Sequence, residues 1–168
     1  DEIDEDTYRN LIEHYLPTGI SGLIPLGTTG ESPTLSDDEV ERMVELTASI
    51  VNGRLPVYIG VGGNCTKKVL QMLKRVERYA IQGILSVCPY YNRPSQRGMY
   101  EHFLRISEAT DLNIIIYNIP YRTGVNLENE TLLKLAEQRN IIGVKDSCGS
   151  LKQTTELLWQ KPEGFAVL

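Results

Sequence analysis

The chain has few cysteines, no long apolar run and no excess of basic residues. Its three cysteines, Cys65, Cys88 and Cys148, lie far apart in a sequence of 168 residues. This spacing fits reduced thiols better than a disulfide framework or a zinc site. No apolar run approaches the ~18 residues of a membrane span, and the acidic start at residues 1–6 is unlike a signal peptide. We therefore expect a cytoplasmic protein that does not bind a membrane.

The charge balance argues against nucleic acid as a partner. Seventeen lysines and arginines stand against 22 aspartates and glutamates, a net charge of −5, and the charges are spread along the chain. A phosphate backbone requires a clustered basic surface. With 41% hydrophobic residues, the composition instead predicts one globular domain over residues 1–168.

Apolar, β-branched runs alternate with segments of helical periodicity. The runs begin near residues 21, 57, 83, 113, 141 and 165, and the intervals of roughly 25 to 35 residues match right-handed βαβ units. Ser36 and Glu39 predict a capping box at the start of one helix, and Thr66 and Asn126 predict later N-caps. Further helices are expected at 96–109, 127–138 and 150–159. The order predicts a parallel α/β protein with a sheet buried on both faces.

Two architectures share this pattern, the doubly wound open sheet and the (β/α)8 barrel. The glycine-rich segments 27–30 and 60–64 match neither the dinucleotide fingerprint nor a phosphate-binding loop, which weighs against a nucleotide-binding sheet. In a barrel, polar residues at the carboxyl ends of several strands converge on one site. The (β/α)8 barrel is therefore the favoured interpretation.

Lys145 is the most informative single residue. It follows the apolar run 141–144 and precedes Asp146, so it is either a solvated strand end or a Schiff-base nucleophile. The second role requires a desolvated amine, which an apolar strand opening into a pocket can provide. Other apolar runs also end in polar residues, so polar chemistry recurs at the same end of each unit.

Four segments together resemble the dihydrodipicolinate synthase and N-acetylneuraminate lyase superfamily, in the same order and at matching spacing. These segments are Gly27–Ser32, Pro89–Pro94, Tyr117–Gly124 and Gly143–Asp146. The resemblance covers essentially the whole chain and implies a barrel enzyme that forms an imine with pyruvate and needs neither cofactor nor metal.

The resemblance also implies roles for individual residues. Lys145 would attack the ketone of pyruvate, and Thr28 and Thr29 would hold its carboxylate through backbone and hydroxyl donors. Tyr117 would pass protons through Thr29 to Tyr91. A single phenol is a poor acid or base at neutral pH, so a shared hydroxyl relay is the physically sensible arrangement. In the family the tyrosine matching Tyr91 crosses from a neighbouring subunit, which implies a dimer or a dimer of dimers (homotetramer).

Arg122 separates the branches of the superfamily. In dihydrodipicolinate synthases an arginine at this position binds the carboxylate of L-aspartate 4-semialdehyde, a role that suits a planar fork of donors. The resemblance therefore implies condensation of pyruvate with that aldehyde in lysine (diaminopimelate) biosynthesis. The alternatives are a 2-keto-3-deoxy sugar-acid or N-acetylneuraminate-type pyruvate aldolase, or a non-catalytic fragment that keeps the motifs.

Two departures from the family pattern carry further expectations. Lysine-inhibited members have a histidine and a glutamate where this chain has Val40 and Lys68, which predicts weak feedback inhibition by lysine or none. Family chains are also longer. The first strand, the eighth strand and the end of the seventh are expected to be missing here, so that the barrel is incomplete and the chain alone is poorly active.

Overall fold

The computed structural model describes residues 2–168. Five strands form one parallel sheet in chain order: β1 (Tyr58–Gly60), β2 (Gly83–Val87), β3 (Asn113–Asn118), β4 (Ile141–Asp146) and β5 (Ala166–Val167). Seven α-helices accompany it: α1 (Glu5–Tyr15), α2 (Asp37–Val51), α3 (Thr66–Val76), α4 (Gln96–Glu108), α5 (Pro120–Thr123), α6 (Asn129–Leu135) and α7 (Leu151–Gln160). The predicted parallel α/β order is confirmed.

The start of α2 has the predicted capping box. Ser36 Oγ accepts the backbone N–H of Glu39 at 3.3 Å, and the Glu39 carboxylate accepts the backbone N–H of Ser36 at 2.7 Å. The backbone donor of Ser36 lowers the pKa of Glu39, because a hydrogen bond to the carboxylate favours its charged form. Two otherwise unpaired backbone donors are satisfied in this way.

The prediction of a regular strand that begins near residue 21 is wrong. Only Leu23 forms a bridge, parallel to Val57, where its N–H donates to Pro56 O and its carbonyl accepts from Tyr58 N, both at 2.9 Å. The Pro25 carbonyl accepts from Gly60 N at 3.0 Å, but Pro25 has no N–H to donate and Leu26 takes a left-handed φ of 60°, so no regular strand forms. The segment still lies beside β1 as an irregular edge.

The predictions that Thr66 and Asn126 are N-caps are also wrong. Cys65 occupies the N-cap position of α3, and Thr66 is already its first helical residue. Glu128 precedes α6, which spans Asn129–Leu135 rather than the expected 127–138. In both cases the polar side chain has a tertiary partner, which local sequence signals do not reveal.

The two faces of the sheet bury different side chains. Residues on the helix-covered face belong to the main core and are fully buried: Ile59, Ile84, Ile114, Ile116 and Val144. The opposite face carries a smaller cluster made of Leu85, Ile115 and Tyr117, with Val87 and Ile142 partly buried against it. This second face of the sheet, free of helices, is the one available for a site.

The three cysteines are free thiols, as the sequence predicts. Cys88 is fully buried in the main core, and burial raises the pKa of its thiol to about 12. The thiolate is the reactive form of cysteine. Cys88 is therefore a packing residue and not a nucleophile.

His102 of α4 is a buried histidine that the sequence analysis did not single out. Its Nδ1 lies 2.8 Å from Thr66 Oγ1, its Nε2 has no partner in residues 2–168, and its ring meets Phe103 edge-on at 5.1 Å. Burial lowers the pKa of His102 to about 4. The neutral imidazole thus joins α3 to α4.

We expect His102 to make folding sensitive to mild acid. Its pKa is lower in the folded state than the ordinary value of 6.5, so the unfolded chain binds the proton first and stability falls as the pH drops below 6.5. Between pH 7 and pH 5 this residue should cost about 2 kcal/mol. Urea unfolding at both pH values should show a smaller loss in His102→Asn than in the unmodified chain; equal losses would contradict the assignment.

Candidate active site

Lys145 and Tyr117 lie side by side at the carboxyl edge of the sheet. They are Cα partners in the ladder between β3 and β4, and the Lys145 Nζ atom sits 4.4 Å from the centre of the Tyr117 ring. Tyr117 is 9% exposed, and Lys145 is half-buried. An ammonium over an aromatic face is attracted to the electrons of the ring. The amine therefore has a fixed neighbour on the open face.

A one-residue shift in register puts these two side chains on the same face. Ile114 pairs with Ile141, but Ile115 pairs with Gly143, so Ile142 has no partner in β3. Side chains alternate between faces along a strand, and a slip of one residue moves every later side chain to the other face. Without the extra residue, Lys145 would stand opposite Asn118 on the helix-covered side.

No carboxylate holds the lysine. Within residues 2–168, Lys145 forms neither a salt bridge nor a side-chain hydrogen bond, whereas the neighbouring Asp146 accepts hydrogen bonds from Thr154 Oγ1 at 2.5 Å and from the N–H of Cys148 at 3.1 Å. A paired carboxylate would favour the charged ammonium. Lys145 lies beside the Tyr117 ring and has no such carboxylate partner in the described residues. Its amine is therefore available to react with a carbonyl substrate.

Thr28 and Thr29 form a tight turn with Gly30 beyond the irregular edge segment. The turn is exposed, and neither threonine hydroxyl has a hydrogen-bond partner in the described part of the chain. The turn follows Gly27, and the carbonyl oxygen of the preceding Leu26 would clash with any Cβ at residue 60. Only glycine fits there, so Gly60 allows the threonine turn to lie at the end of β1.

The threonine turn and Lys145 both lie at the carboxyl ends of the strands, but they are far apart across the sheet. Four inter-strand steps separate the edge segment from β4, a path of about 19 Å along the sheet at the usual strand spacing. Only the curvature of a barrel brings such positions across from one another. The structure thus brings Tyr117 and Lys145 into contact and places the threonines at the same rim.

Tyr91 is a highly exposed member of the predicted set of site residues. It is 87% exposed, beside Tyr90 at 40%, and has a left-handed φ of 72°. Its N–H donates to Thr123 O at 3.4 Å. Its hydroxyl bonds to neither Tyr117 nor Thr29 in residues 2–168. The predicted proton relay is therefore not assembled within one copy of the chain.

Arg122 lies in the short helix α5, directly after β3, with its side chain exposed. Its guanidinium has no acidic partner among the described residues. The turn that carries it closes through Thr123, whose hydroxyl donates to Val125 O at 2.8 Å, and through Gly124 with φ of 75°. The side chain of Arg93 lies against Gly124. Two cations therefore border the rim beyond β3.

Sequence reasoning missed the polar side chains behind the rim. Asn118, which follows Tyr117, is 1% exposed and donates to Asn126 Oδ1 at 2.9 Å. Asn126 in turn donates to Gln153 of α7 at 2.8 Å. Nothing in the local pattern indicates these pairs, since Asn118 and Asn126 are joined across a loop and Gln153 lies 27 residues beyond Asn126. Only the presence of Asn118 inside a matched motif could have drawn attention to it.

Other potential sites do not compete with this rim. A cleft of about 550 Å³ between α3 and α4 is lined by Thr66, Lys67, Leu70, Gln71, Lys74 and Arg105. It is a wide surface groove away from the strand ends, so we place the site by the strand-end geometry instead. Within residues 2–168, no group of three or more metal-ligating side chains exists, and no helix is long and apolar enough to cross a membrane.

Comparison with known proteins agrees with this geometry. The model of the dihydrodipicolinate synthetase family matches residues 1–168. The chain is 54% identical over 167 residues to 4-hydroxy-tetrahydrodipicolinate synthase 2 of Clostridium acetobutylicum, covering 99% of this chain and 58% of that protein.

Solved structures agree as well. Dihydrodipicolinate synthase of Aquifex aeolicus superposes with a TM-score of 0.96 at 39% identity, over 99% of this chain and 57% of that one. The chloride-inhibited enzyme of Acinetobacter baumannii, complexed with pyruvate, gives a TM-score of 0.94 at 36% identity, over 98% of this chain and 57% of that one.

The solved structures that this chain matches are (β/α)8 barrels. Its parallel strands in chain order, with a lysine at their carboxyl rim that forms no ion pair within residues 2–168, place it in the same class of protein. The predicted fold class is confirmed. The chain belongs to the dihydrodipicolinate synthetase family. It spans between half and three fifths of the length of the relatives it matches.

Proposed function

We propose that this chain supplies the imine-forming part of a lyase that condenses pyruvate with L-aspartate 4-semialdehyde to 4-hydroxy-tetrahydrodipicolinate. The contact between the Lys145 amine and the Tyr117 ring at the strand rim carries the proposal. The names of the relatives and the pyruvate complex of the Acinetobacter baumannii enzyme support it. The step belongs to lysine biosynthesis, and a cytoplasmic location is part of the proposal because all three thiols are free.

The proposed chemistry begins at Lys145. Its neutral amine adds to the ketone carbon of pyruvate, and the carbinolamine loses water to give an imine. The imine nitrogen accepts electrons as a proton leaves the pyruvate methyl to give an enamine. The enamine attacks the aldehyde carbon, the aldehyde oxygen takes up a proton to become a hydroxyl, and the imine re-forms. The amine of the second substrate then adds to the imine carbon, closes the ring and releases Lys145.

The other predicted residues take supporting roles. Thr28 and Thr29 hold the pyruvate carboxylate with hydroxyl and backbone donors. Tyr117, beside the amine, exchanges protons through Thr29 with Tyr91. The large exposure of Tyr91 supports its insertion into a neighbouring copy, and hence a homo-oligomer, either a dimer or a dimer of dimers. Residues 1–168 act as one domain in this proposal.

Borohydride trapping tests the nucleophile. Incubation with pyruvate and borohydride should add the mass of one reduced pyruvyl group, and peptide mass spectrometry should locate it on Lys145. Lys145→Arg keeps the charge but removes the nucleophile and should abolish the adduct, whereas Lys152→Arg on the exposed surface of α7 should keep it. An adduct on another lysine, or none, would refute the proposal.

Arg122 tests the second substrate. Arg122→Gln should raise the half-saturating concentration of L-aspartate 4-semialdehyde about tenfold or more, because a charge-assisted, two-pronged contact is lost. Pyruvate trapping should change less than about twofold, since Lys145 is untouched. Arg139→Gln, which breaks an exposed pair with Asp111, is the matched control. An unchanged dependence on the aldehyde would favour a sugar-acid aldolase.

Feedback by lysine should be weak. Val40 is half-buried and Lys68 is exposed near the start of α3, so a cation occupies the position where inhibited relatives have a carboxylate to pair with the effector amine. Like charges repel, which disfavours a bound ammonium. Steady-state rates with increasing lysine should remain unchanged through the millimolar range, and Lys68→Glu should not reduce activity without lysine. Strong inhibition at sub-millimolar lysine would contradict this expectation.

A further inference from the structure

The residues that follow Tyr117 and Lys145 face the opposite side of the sheet from the site. Asn118 and Asp146 form the next Cα pair of the same ladder, and the Ser147 N–H donates to Asn118 O at 2.8 Å. Beyond this pair both strands end in loops. The last rung of the ladder therefore decides how closely the tyrosine and the lysine are held together.

Consecutive residues of α7 are connected to the two members of that rung, one directly and one through other residues. Thr154 Oγ1 donates directly to Asp146 Oδ2 at 2.5 Å. Gln153 reaches Asn118 through two intermediates. Its Nε2 donates to Leu127 O at 3.0 Å, and Leu127 N–H donates to Asn118 Oδ1 at 3.0 Å.

Asn126 closes the second branch of this connection. It donates to Gln153 Oε1 at 2.8 Å and accepts from Asn118 Nδ2 at 2.9 Å. Asn118 is 1% exposed, so its hydrogen bonds are shielded from water, where a lost partner is costly. The first turn of α7 thus holds the ends of β3 and β4 at two neighbouring points.

We propose that Gln153 and Thr154 are positioning residues that fix Lys145 against Tyr117 by clamping Asn118 and Asp146 from the helix side. They touch neither substrate nor the amine, and act only through the strand ends. The proposal rests on the imine-forming role of Lys145 proposed above. A side chain held from the opposite face of its strand keeps its direction, and small displacements of a nucleophile slow the chemical step.

Thr154→Val tests the clamp with little change in shape. It removes the donor to Asp146 and should lower the maximal rate of pyruvate trapping at Lys145 about tenfold, with the half-saturating pyruvate concentration within about twofold, because the carboxylate site lies on other strands. Thr154→Ser restores the hydroxyl and should restore the rate. Gln153→Glu, which puts an acceptor opposite Leu127 O, should slow trapping in the same way.

Thr155→Val is the matched control. Thr155 lies in the same helical turn and is exposed, and among the residues that the structure describes its hydroxyl donates only to Leu151 O within the helix. Its removal should leave trapping unchanged. The clamp would be overturned by an unchanged rate of pyruvate trapping in Thr154→Val, or by a rise in the half-saturating pyruvate concentration alone. An equal loss of trapping rate in Thr155→Val would also overturn it.

Amide hydrogen exchange separates this proposal from the proposed function. If the unmodified chain forms no adduct, the function fails, but the clamp still predicts faster exchange at the Ser147 N–H in Thr154→Val and not in Thr155→Val. Faster exchange limited to the ends of β3 and β4 would support the clamp. Unchanged exchange at Ser147, or faster exchange throughout the chain, would refute it.

Discussion

The register between β3 and β4 is the constraint on which the site depends. One residue of β4, Ile142, has no partner in β3, and the alternation of side chains then places Lys145 with Tyr117 on the open face. The same shift directs Asp146 toward the helices, where it pairs with Asn118. A single extra residue therefore places the proposed reactive pair and the proposed positioning pair on opposite faces of the sheet.

This separation divides the polar chemistry of the rim into two compartments. On the helix side, amide and carboxylate groups are satisfied by hydrogen bonds to α7 and to the loop after β3. On the open side, the lysine amine lies over the Tyr117 ring and has no hydrogen-bond or ion-pair partner among the residues described. Buried polar groups need hydrogen-bond partners, whereas an amine that acts as a nucleophile must not be paired with a carboxylate. The two faces of one sheet meet both needs.

The site also depends on the curvature of the sheet. The threonine turn stands at the rim beside β1 because Gly60 has no side chain to push Leu26 away. The threonine turn follows the irregular segment at one side of the sheet, several strands from Lys145. Because neighbouring strands keep a fixed spacing, a flat sheet would hold the two apart. The proposed convergence of these groups on one small substrate therefore requires a closed barrel and cannot come from any pair of strands alone. In the proposed function, the exposed Tyr91 is supplied to the site by a second copy of the chain.

The sequence by itself determined the order of elements, the parallel sheet, the α2 capping box and the family, because these follow from periodicity, local hydrogen-bonding patterns and motif spacing. It also identified Lys145, Tyr117, Thr28, Thr29, Tyr91 and Arg122, although their roles stay predictions. It wrongly assigned caps to Thr66 and Asn126, since their side chains bond to His102 and to Gln153 far along the chain. Only the tertiary structure decided the register shift at Ile142 and the α7 contacts behind the site, because pairing between strands and hydrogen bonds between distant residues leave no mark in local sequence.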